Sequence, residues 1–509
     1  MDSKQALMVL GGMGFLLAGE SQAMTMEERM IAMEKKMAQL ENKLATSEQE
    51  NQRLKATLGT VTPPKPEAAS QQAIKAVDDK LAVLSKRVDT DKKAATEAAK
   101  QAPKISVSTK GVNFKSADEN YQLNLRGYAQ ADGNYFIEDN QTNIADNFNI
   151  RRVRLTLDGT LFKNVDFRIA PDFAGSRLQL FDAFIDLHYF TSASLMAGKF
   201  RQPVSLERMQ TAPNLTFIER AYPATMAPNR DLGFMLHGAF AYPGYKVQYT
   251  PQPTFKEFLS YEVGVFNGVR DSQAVNSSDN ESDSALYKDN KELAARVFSH
   301  PFSHSGSALE GLGIGVAGTW GQPKDNPLNS LTSSSGRQRI VSYGATTTAT
   351  GESYRIYPQM YWYWKSFGMM GEYLLSSQHL HNGNGPSVRQ ENSAWHVNMS
   401  YVLTGENNSF FGVKPTQVFD PVKGTWGALL VAARWSEMDI DGSTFSNGFA
   451  SLNNSVSHAS SWTIGLNWYL NDNVKIMADY EQTQFLGGAA GNANRPDERV
   501  FLSRLQMAF

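Results

Sequence analysis

From Tyr121 to the end of the chain, apolar side chains recur at every second position. Tyr121, Leu123 and Leu125 alternate with Gln122, Asn124 and Arg126. Val153, Leu155, Leu157 and Leu161 alternate with Arg152, Arg154, Thr156, Asp158 and Thr160. Val165, Phe167 and Ile169 alternate with Asp166, Arg168 and Ala170, and Phe181, Ala183, Ile185, Leu187 and Tyr189 with Asp182, Phe184, Asp186 and His188. Near the end, Val474, Ile476, Ala478 and Tyr480 alternate with Lys475, Met477, Asp479 and Glu481. A period of two is a strand with one greasy and one polar face. A soluble antiparallel sheet has the same pattern, so the connections and the chain end must discriminate. Short turns (162–164, 191–193, 471–473) alternate with long connections (132–148, 203–232, 269–290, 322–353, 378–392, 439–460, 484–497). The chain ends FLSRLQMAF, with Phe501, Leu505, Met507 and Phe509 on one face. A closed barrel pairs such a terminal strand with its first strand and leaves no open edge. The spacing predicts an all-β transmembrane barrel of about 16 antiparallel strands. Tyr361, Trp362, Tyr363, Trp364, Trp462, Trp468 and Tyr469 lie near strand ends, where interface girdles are expected.

Composition agrees once the alternation is known. Mean hydropathy is −0.39 and 20% of residues are charged. These averages resemble a soluble protein only because lipid-facing and lumen-facing residues cancel. With no cysteine in the chain, disulfides, thiolate metal sites and cysteine nucleophiles are excluded. Residues 1–23 read as a signal peptide, with Lys4, an apolar run over 6–18, and Ser21 and Ala23 at a cleavage site; an uncleaved anchor is the alternative. No other apolar run approaches the ~18 residues of a spanning helix, so a membrane form requires a closed barrel.

Between leader and barrel the period is helical. Met26, Met30, Met33, Met37, Leu40, Leu44, Leu54 and Leu58 follow a heptad, with Ser47 at d and Asn51 at a. The spacing predicts an N-terminal α-helical coiled coil over 24–60, against a single amphipathic helix packed on a domain. A Pro-rich break, 61–73, precedes a second heptad segment, 74–90, with Ile74, Val77, Leu81, Leu84 and Val88. Residues 91–120 read as a polar tether, and 121–509 as the barrel.

The connection 203–232 is the least ordinary. Pro203, Pro213, Pro223 and Pro228 stiffen it. Leu206, Met209, Leu215, Phe217, Ile218 and Tyr222 suit neither water nor a loose loop, and Glu207, Arg208, Glu219, Arg220 and Arg230 accompany them. We expect it to fold into the lumen, apolar side on the wall and charges toward the passage. Arg126, Arg152, Arg154, Arg168, Lys199 and Arg201 are expected to face inward with Arg208, Arg220 and Arg230. A ring of cations in a narrow aqueous passage raises the local anion concentration. The competing expectation is that these arginines pair with Asp158, Asp166, Asp172, Asp182 and Asp186. HPFSH at 300–304 reads as a turn rather than a metal site, DNESD at 279–283 as a solvated tip, and GLGIGVAG at 311–318 as a curved strand. No catalytic residue, cofactor or metal is expected, and the chain is not expected to be an enzyme.

Several stretches together resemble one family. NIRRVRLTLDGTLFKNVDFRIAPDFAG, LFDAFIDL, LMAGKFRQPVSLERMQTAPNLTFIERAYP, APNRDLGFMLHG, YVLTGEN, WGALLVAARWSEMDI and SSWTIGLNWYLNDNVKIMADYEQ are similar in order and spacing to the phosphate-selective porin O and P family. The resemblance covers roughly Tyr121 to Phe509. It implies a sixteen-stranded barrel, a homotrimer, a third loop folded inward as the constriction, and arginines or lysines that draw phosphate or polyphosphate. By the same resemblance Arg208 falls where a constriction lysine is found, Thr211 lies near serine hydroxyls, Arg151 and Arg152 match a basic pair, and Asp182 matches a lumen aspartate. Asp166 departs from it, since a carboxylate there would oppose an anion.

The expected function is an outer-membrane porin for small anions, with a general-diffusion porin or a structural tether as alternatives. The expected place is the outer membrane of a Gram-negative bacterium, with the coiled coil in the periplasm. Expected partners are two more copies of the chain, outer-membrane lipid and lipopolysaccharide, small anionic solutes and, as a candidate contact, peptidoglycan, with no nucleic acid among them.

Overall fold

A computed structural model describes residues 68–137, 145–175, 178–190, 192–242, 257–268, 291–328, 330–333, 335 and 338–509, together with Gln49. The expected signal peptide lies outside the described residues, as does the expected coiled coil 24–60 apart from Gln49. Two compact units divide at Thr96. Helix α1, Ala68–Gln101, contains the second heptad segment. It begins inside the expected break and continues into the expected tether, because its alanines and lysines are strong helix formers. Pro103 follows the helix end, where it cannot continue the turn. The tether 91–120 is corrected further on: Lys104–Ser108 and Gly111–Lys115 form a hairpin. Its second strand pairs with the barrel, from Val112 opposite Leu125 to Lys115 opposite Gln122.

Sixteen strands follow: β1 Gln122–Phe136, β2 Asn147–Leu161, β3 Val165–Asp172, β4 Gln179–Phe190, β5 Ala193–Phe200, β6 Asp231–Phe240, β7 Leu259–Phe266 and β8 Glu292–Ser299. They continue as β9 Leu312–Gly321, β10 Thr347–Trp364, β11 Phe367–Asn382, β12 Val388–Val402, β13 Ala428–Asp439, β14 Val456–Tyr469, β15 Val474–Ala489 and β16 Glu498–Ala508. Each pairs antiparallel with its neighbours in sequence, and β16 pairs with β1 from Val500–Phe136 to Ala508–Tyr128. The sheet is therefore a closed barrel. At the seam Phe509 N donates to Gly127 O at 2.8 Å and Gly127 N donates to Phe509 O at 2.9 Å. A Cβ at position 127 would stand 3.1 Å from the Phe509 ring, so the glycine makes room for the terminal aromatic.

The wall is apolar outside and polar inside. Leu155, Ile185, Phe234, Val297, Ile314, Ile464 and Leu505 are exposed on the outer face, while Arg154, Asp186, Glu262, Arg296, Thr463 and Arg504 are buried. In water each exposed Leu, Ile or Phe would forgo about 1.5–3 kcal/mol of burial; hydrocarbon removes that penalty. The alternation corrects part of the expected aromatic girdle. Trp362, Trp364 and Trp468 fall on the outward register, but Tyr361 and Tyr469 are buried inside, and Tyr363 packs against the same interior cluster as Tyr361. In β9, a Cβ on Gly313 or Gly315 would come within 2.6 or 2.4 Å of Phe298. The glycine run thus admits an inward aromatic.

The two ends of the barrel divide less cleanly than the turn lengths suggest. Residues 403–427, at the end with short turns, form a long connection, and residues 383–387, at the other end, form a short one. The long one turns back into the lumen, where Phe410 and Val413 are buried.

Candidate functional site

Two irregularities in the wall shape the site. Gln130 is opposite Arg152 while Ala131 is opposite Ile150, which makes Arg151 an extra residue. This bulge lets two consecutive arginines serve the lumen, which regular alternation forbids. Likewise Ala170 is opposite Asp182 and Pro171 opposite Leu180, so Phe181 is the extra residue on β4. Proline cannot donate to the ladder, which favours a break there. Phe181 therefore lines the lumen, not the lipid face where its place in the alternation puts it. The Arg154 guanidinium lies 3.6 Å and that of Arg230 4.9 Å from its ring centroid, a cation–π arrangement.

The segment between β5 and β6 crosses the lumen as three short turns: Leu206–Met209, Ala212–Asn214 and Tyr222–Thr225. Ser205 caps the first, accepting from Arg208 N at 3.3 Å, and donates to Glu372 Oε1 at 2.8 Å. Apolar residues seat the loop on the far wall. Leu206 packs with Phe298, Tyr361, Met370 and Phe410; Phe217 with Val402, Val413, Leu430 and Tyr469; Ile218 with Phe136, Met477, Val500 and Leu502. The wall also satisfies the loop backbone. Gln359 Nε2 donates to Val204 O at 2.7 Å, Arg504 Nη1 to Ile218 O at 2.9 Å, and Ile218 N to Asp479 Oδ2 at 2.6 Å.

Such short turns leave carbonyls without helical partners, and loop arginines take them. Arg201 Nη1 donates to Met209 O at 2.7 Å and Gln210 O at 3.1 Å, Arg220 Nε to Glu207 O at 3.1 Å, and Arg208 Nε to Ala224 O at 3.1 Å. The guanidinium groups are thereby held in place against the loop's own backbone.

Between the loop and β1–β4 lies a cavity of about 510 Å³. Its lining includes nine arginines, at positions 126, 151, 152, 154, 168, 201, 208, 220 and 230, against two carboxylates, Asp182 and Glu219. Arg230 meets Asp182 at 3.1 Å and Arg151 meets Glu219 at 2.6 Å. From behind the lining, Asp172 meets Arg154 at 2.7 Å, and Asp158 meets Arg126 and, at 3.5 Å, Arg168. Counting all four carboxylates, five positive charges remain. Among the described residues, no carboxylate lies within 4 Å of Arg152, Arg201 or Arg220; Arg152 Nη1 donates to Gln130 Oε1 at 2.8 Å. Burial opposes the charge of Glu219, but Arg151 and Arg152 hold its carboxyl well below the ordinary range. Burial, then Arg220 and Arg230, push the Arg208 guanidinium down from its ordinary value. Like charges held this close gain from any anion placed among them.

Of the residues singled out by sequence, Thr211 and Asp182 line this cavity with the nine arginines. Lys199 does not. It is buried, in register with Ala183 and Leu232, and directly follows Gly198, whose φ of +131° breaks the regular strand geometry. Asp166 is not in the lining either: it accepts from Thr160 Oγ1 at 2.6 Å and lies 3.8 Å from His188. Phe181, Tyr128 and Gln210 line the cavity unannounced. The available signals were Pro171 within a strand and the charged pair Arg151–Arg152 where one apolar residue was due.

A family model described as phosphate-selective porin O and P matches residues 122–509. Porin O of Pseudomonas aeruginosa is 22% identical over 437 residues, spanning 80% of this chain and 92% of that protein. Among solved structures, the outer membrane channel DcaP of Acinetobacter baumannii is similar with a TM-score of 0.48 at 13% identity, over 78% of this chain and 99% of that one. The anion-selective porin from Comamonas acidovorans has a TM-score of 0.44 at 11% identity, over 76% of this chain and 100% of that one. The family match runs from the first barrel strand to the terminal residue, and on that ground the chain belongs to the phosphate-selective porin O and P family and is an outer-membrane porin.

Proposed function

We propose that the barrel passes small anions by diffusion, and that phosphate and polyphosphate are among them. The observation that carries this reading is the excess of arginines over carboxylates in the cavity beneath the inward loop. A guanidinium stays charged in such a place and can hold two phosphate oxygens at once. Passage requires that each hold be weak, and spreading the contacts among Arg152, Arg201, Arg208 and Arg220 serves that end. The experiment is a single-channel recording under a salt gradient, followed by titration of phosphate into chloride. The expected outcome is a zero-current potential of anion sign and a chloride current that falls as phosphate is added. A cation-sign potential would overturn the reading; anion selectivity with no effect of phosphate would leave a general anion path.

The helix supports a companion role. Val77, Leu81, Leu84 and Val88 are exposed along one stripe of α1, at the spacing by which helices pack together. In this reading three copies join through that stripe in the periplasm, with the barrels held in lipid and lipopolysaccharide and the coil available to peptidoglycan. Chemical cross-linking of intact cells should give trimers, and Leu81→Asp with Leu84→Asp should weaken them.

A further inference from the structure

Where the inward loop meets the far wall, three potential metal ligands converge from separate parts of the chain. Glu207 comes from the loop, Glu372 from β11 and His396 from β12, and their ligand atoms lie within 4.8 Å of one another. They are 2%, 4% and 1% exposed. His396 is the second observation. Neither of its ring nitrogens has a hydrogen-bond partner among the described residues, and its Nε2 stands 3.6 Å from Glu372 Oε1. A buried polar group without a partner costs about 1–3 kcal/mol. His300, also buried, shows the ordinary solution: its Nδ1 meets Glu257 O at 3.0 Å and its Nε2 meets the Tyr361 hydroxyl at 2.5 Å.

Both carboxylates are oriented before any ligand arrives. Glu372 accepts from Ser205 Oγ at 2.8 Å and from Leu206 N at 2.7 Å. Glu207 Oε2 accepts from Ala221 N at 2.8 Å. Arg434 gives its closer contacts to Glu481, at 3.0 Å, and Glu219 O, at 2.8 Å, leaving 3.6 Å to Glu207 Oε1. Among the described residues, His396 is the sole ionisable base within 4 Å of Glu372. Two carboxylates thus enter a dry place with too little positive charge beside them.

We propose that Glu207, Glu372 and His396 bind a divalent cation of the zinc class, which clamps the inward loop to the barrel wall. One imidazole and two carboxylates suit zinc, with water in the fourth position. They suit calcium and magnesium poorly, since those ions take oxygen ligands and more of them. Ligands of a tetrahedral zinc at about 2.1 Å stand about 3.4 Å apart, close to the 3.6 Å between His396 and Glu372. The cation neutralises the carboxylates, satisfies one imidazole nitrogen and ties loop residue 207 to two wall strands. The linear sequence hides such a site, because its ligands are not spaced as a motif. The clamp is independent of which solute the barrel passes.

The experiment uses the full-length protein purified from outer membranes. Wild type should carry about one equivalent of zinc per chain. After chelation it should bind CoCl₂ alone with the visible absorption of a four-coordinate site, and ZnCl₂ alone should slow proteolysis of the loop. His396→Gln should weaken binding by more than the ~10–100-fold that follows loss of a group merely orienting a ligand, and should abolish the protection. Glu372→Gln reads the same site, and heat-modifiable mobility on gels verifies that each variant is folded. If either variant fails to fold, the cobalt spectrum and the protection assay on wild type still decide. Absence of bound metal with no cobalt spectrum, or equal binding by wild type and folded His396→Gln, overturns the proposal; the second result identifies adventitious surface metal.

Discussion

The two faces of the inward loop contain the same kinds of residue and use them in opposite ways. On the docked side, four buried arginines of the wall each stand against a carboxylate. Arg504 holds Asp132 at 2.7 Å, Arg434 holds Glu481 at 3.0 Å, Arg355 holds Glu292 at 2.6 Å and Arg296 holds Glu262 at 3.2 Å. Apolar residues of the loop fill the spaces between. On the cavity face, arginines outnumber carboxylates and water has access. An arginine therefore works as a structural tie or as a solute-facing charge according to whether a carboxylate stands opposite it. The docked face holds the loop still, and that stillness lets the other face keep cations close together.

The largest expected effect breaks the docked side. Arg504→Ala leaves Asp132 buried without its bidentate partner and Ile218 O without its donor. It should lower stability by about 3–5 kcal/mol, read as the urea midpoint of the purified barrel. Arg152→Ala, on the cavity side, loses one hydrogen bond to Gln130 and relieves repulsion. It should cost about 1 kcal/mol or less. Equal losses would mean that the two faces do not differ as argued.

The next expectation sharpens the cavity side. Arg208→Glu together with Arg220→Glu should lower the anion-to-cation permeability ratio by about tenfold at low salt. The change should shrink toward 1 M salt, where the screening length is about 3 Å. Arg389→Glu is the control: Arg389 is 41% exposed, beside Glu352 and Glu391 near the other end of β12. It should change the ratio less than about twofold, because solvent and salt screen an exposed charge. Comparable shifts from the two would remove the loop arginines from the selectivity argument. The smallest expected effect is on conductance when residues 24–90 are deleted. The closed sheet begins at β1, so single-channel conductance should be unchanged; its loss in a correctly inserted truncation would contradict this.

Much of the fold was legible because alternation is local. Leu155 and Arg154 point to opposite sides whatever their neighbours do, and the terminal aromatic strand announced closure. The loop's inward course was legible too, from apolar residues such as Phe217 and Ile218 that a solvated loop would not keep. Lys199, which is not among the residues lining the cavity, and Phe181 mark where this reading fell short. Each lies beside an interruption of the strand, where the strict alternation of inside and outside breaks locally. Likewise Tyr361 and Tyr469 looked like membrane aromatics until the register turned them inward to support the loop.

The primary structure alone establishes a barrel, the residues able to cross its lumen, and a store of cations. It does not establish which cations lack a counter-charge. Asp172 answers Arg154, and Asp132 answers Arg504 across 372 positions of chain, whereas no described carboxylate stands within 4 Å of Arg152, Arg201 or Arg220. The convergence of Glu207, Glu372 and His396 belongs to the same class. Strand periodicity is set by the covalent backbone within a few residues. Charge balance and ligand sets depend on distances between remote segments, and those exist only once the sheet has closed and the loop has docked.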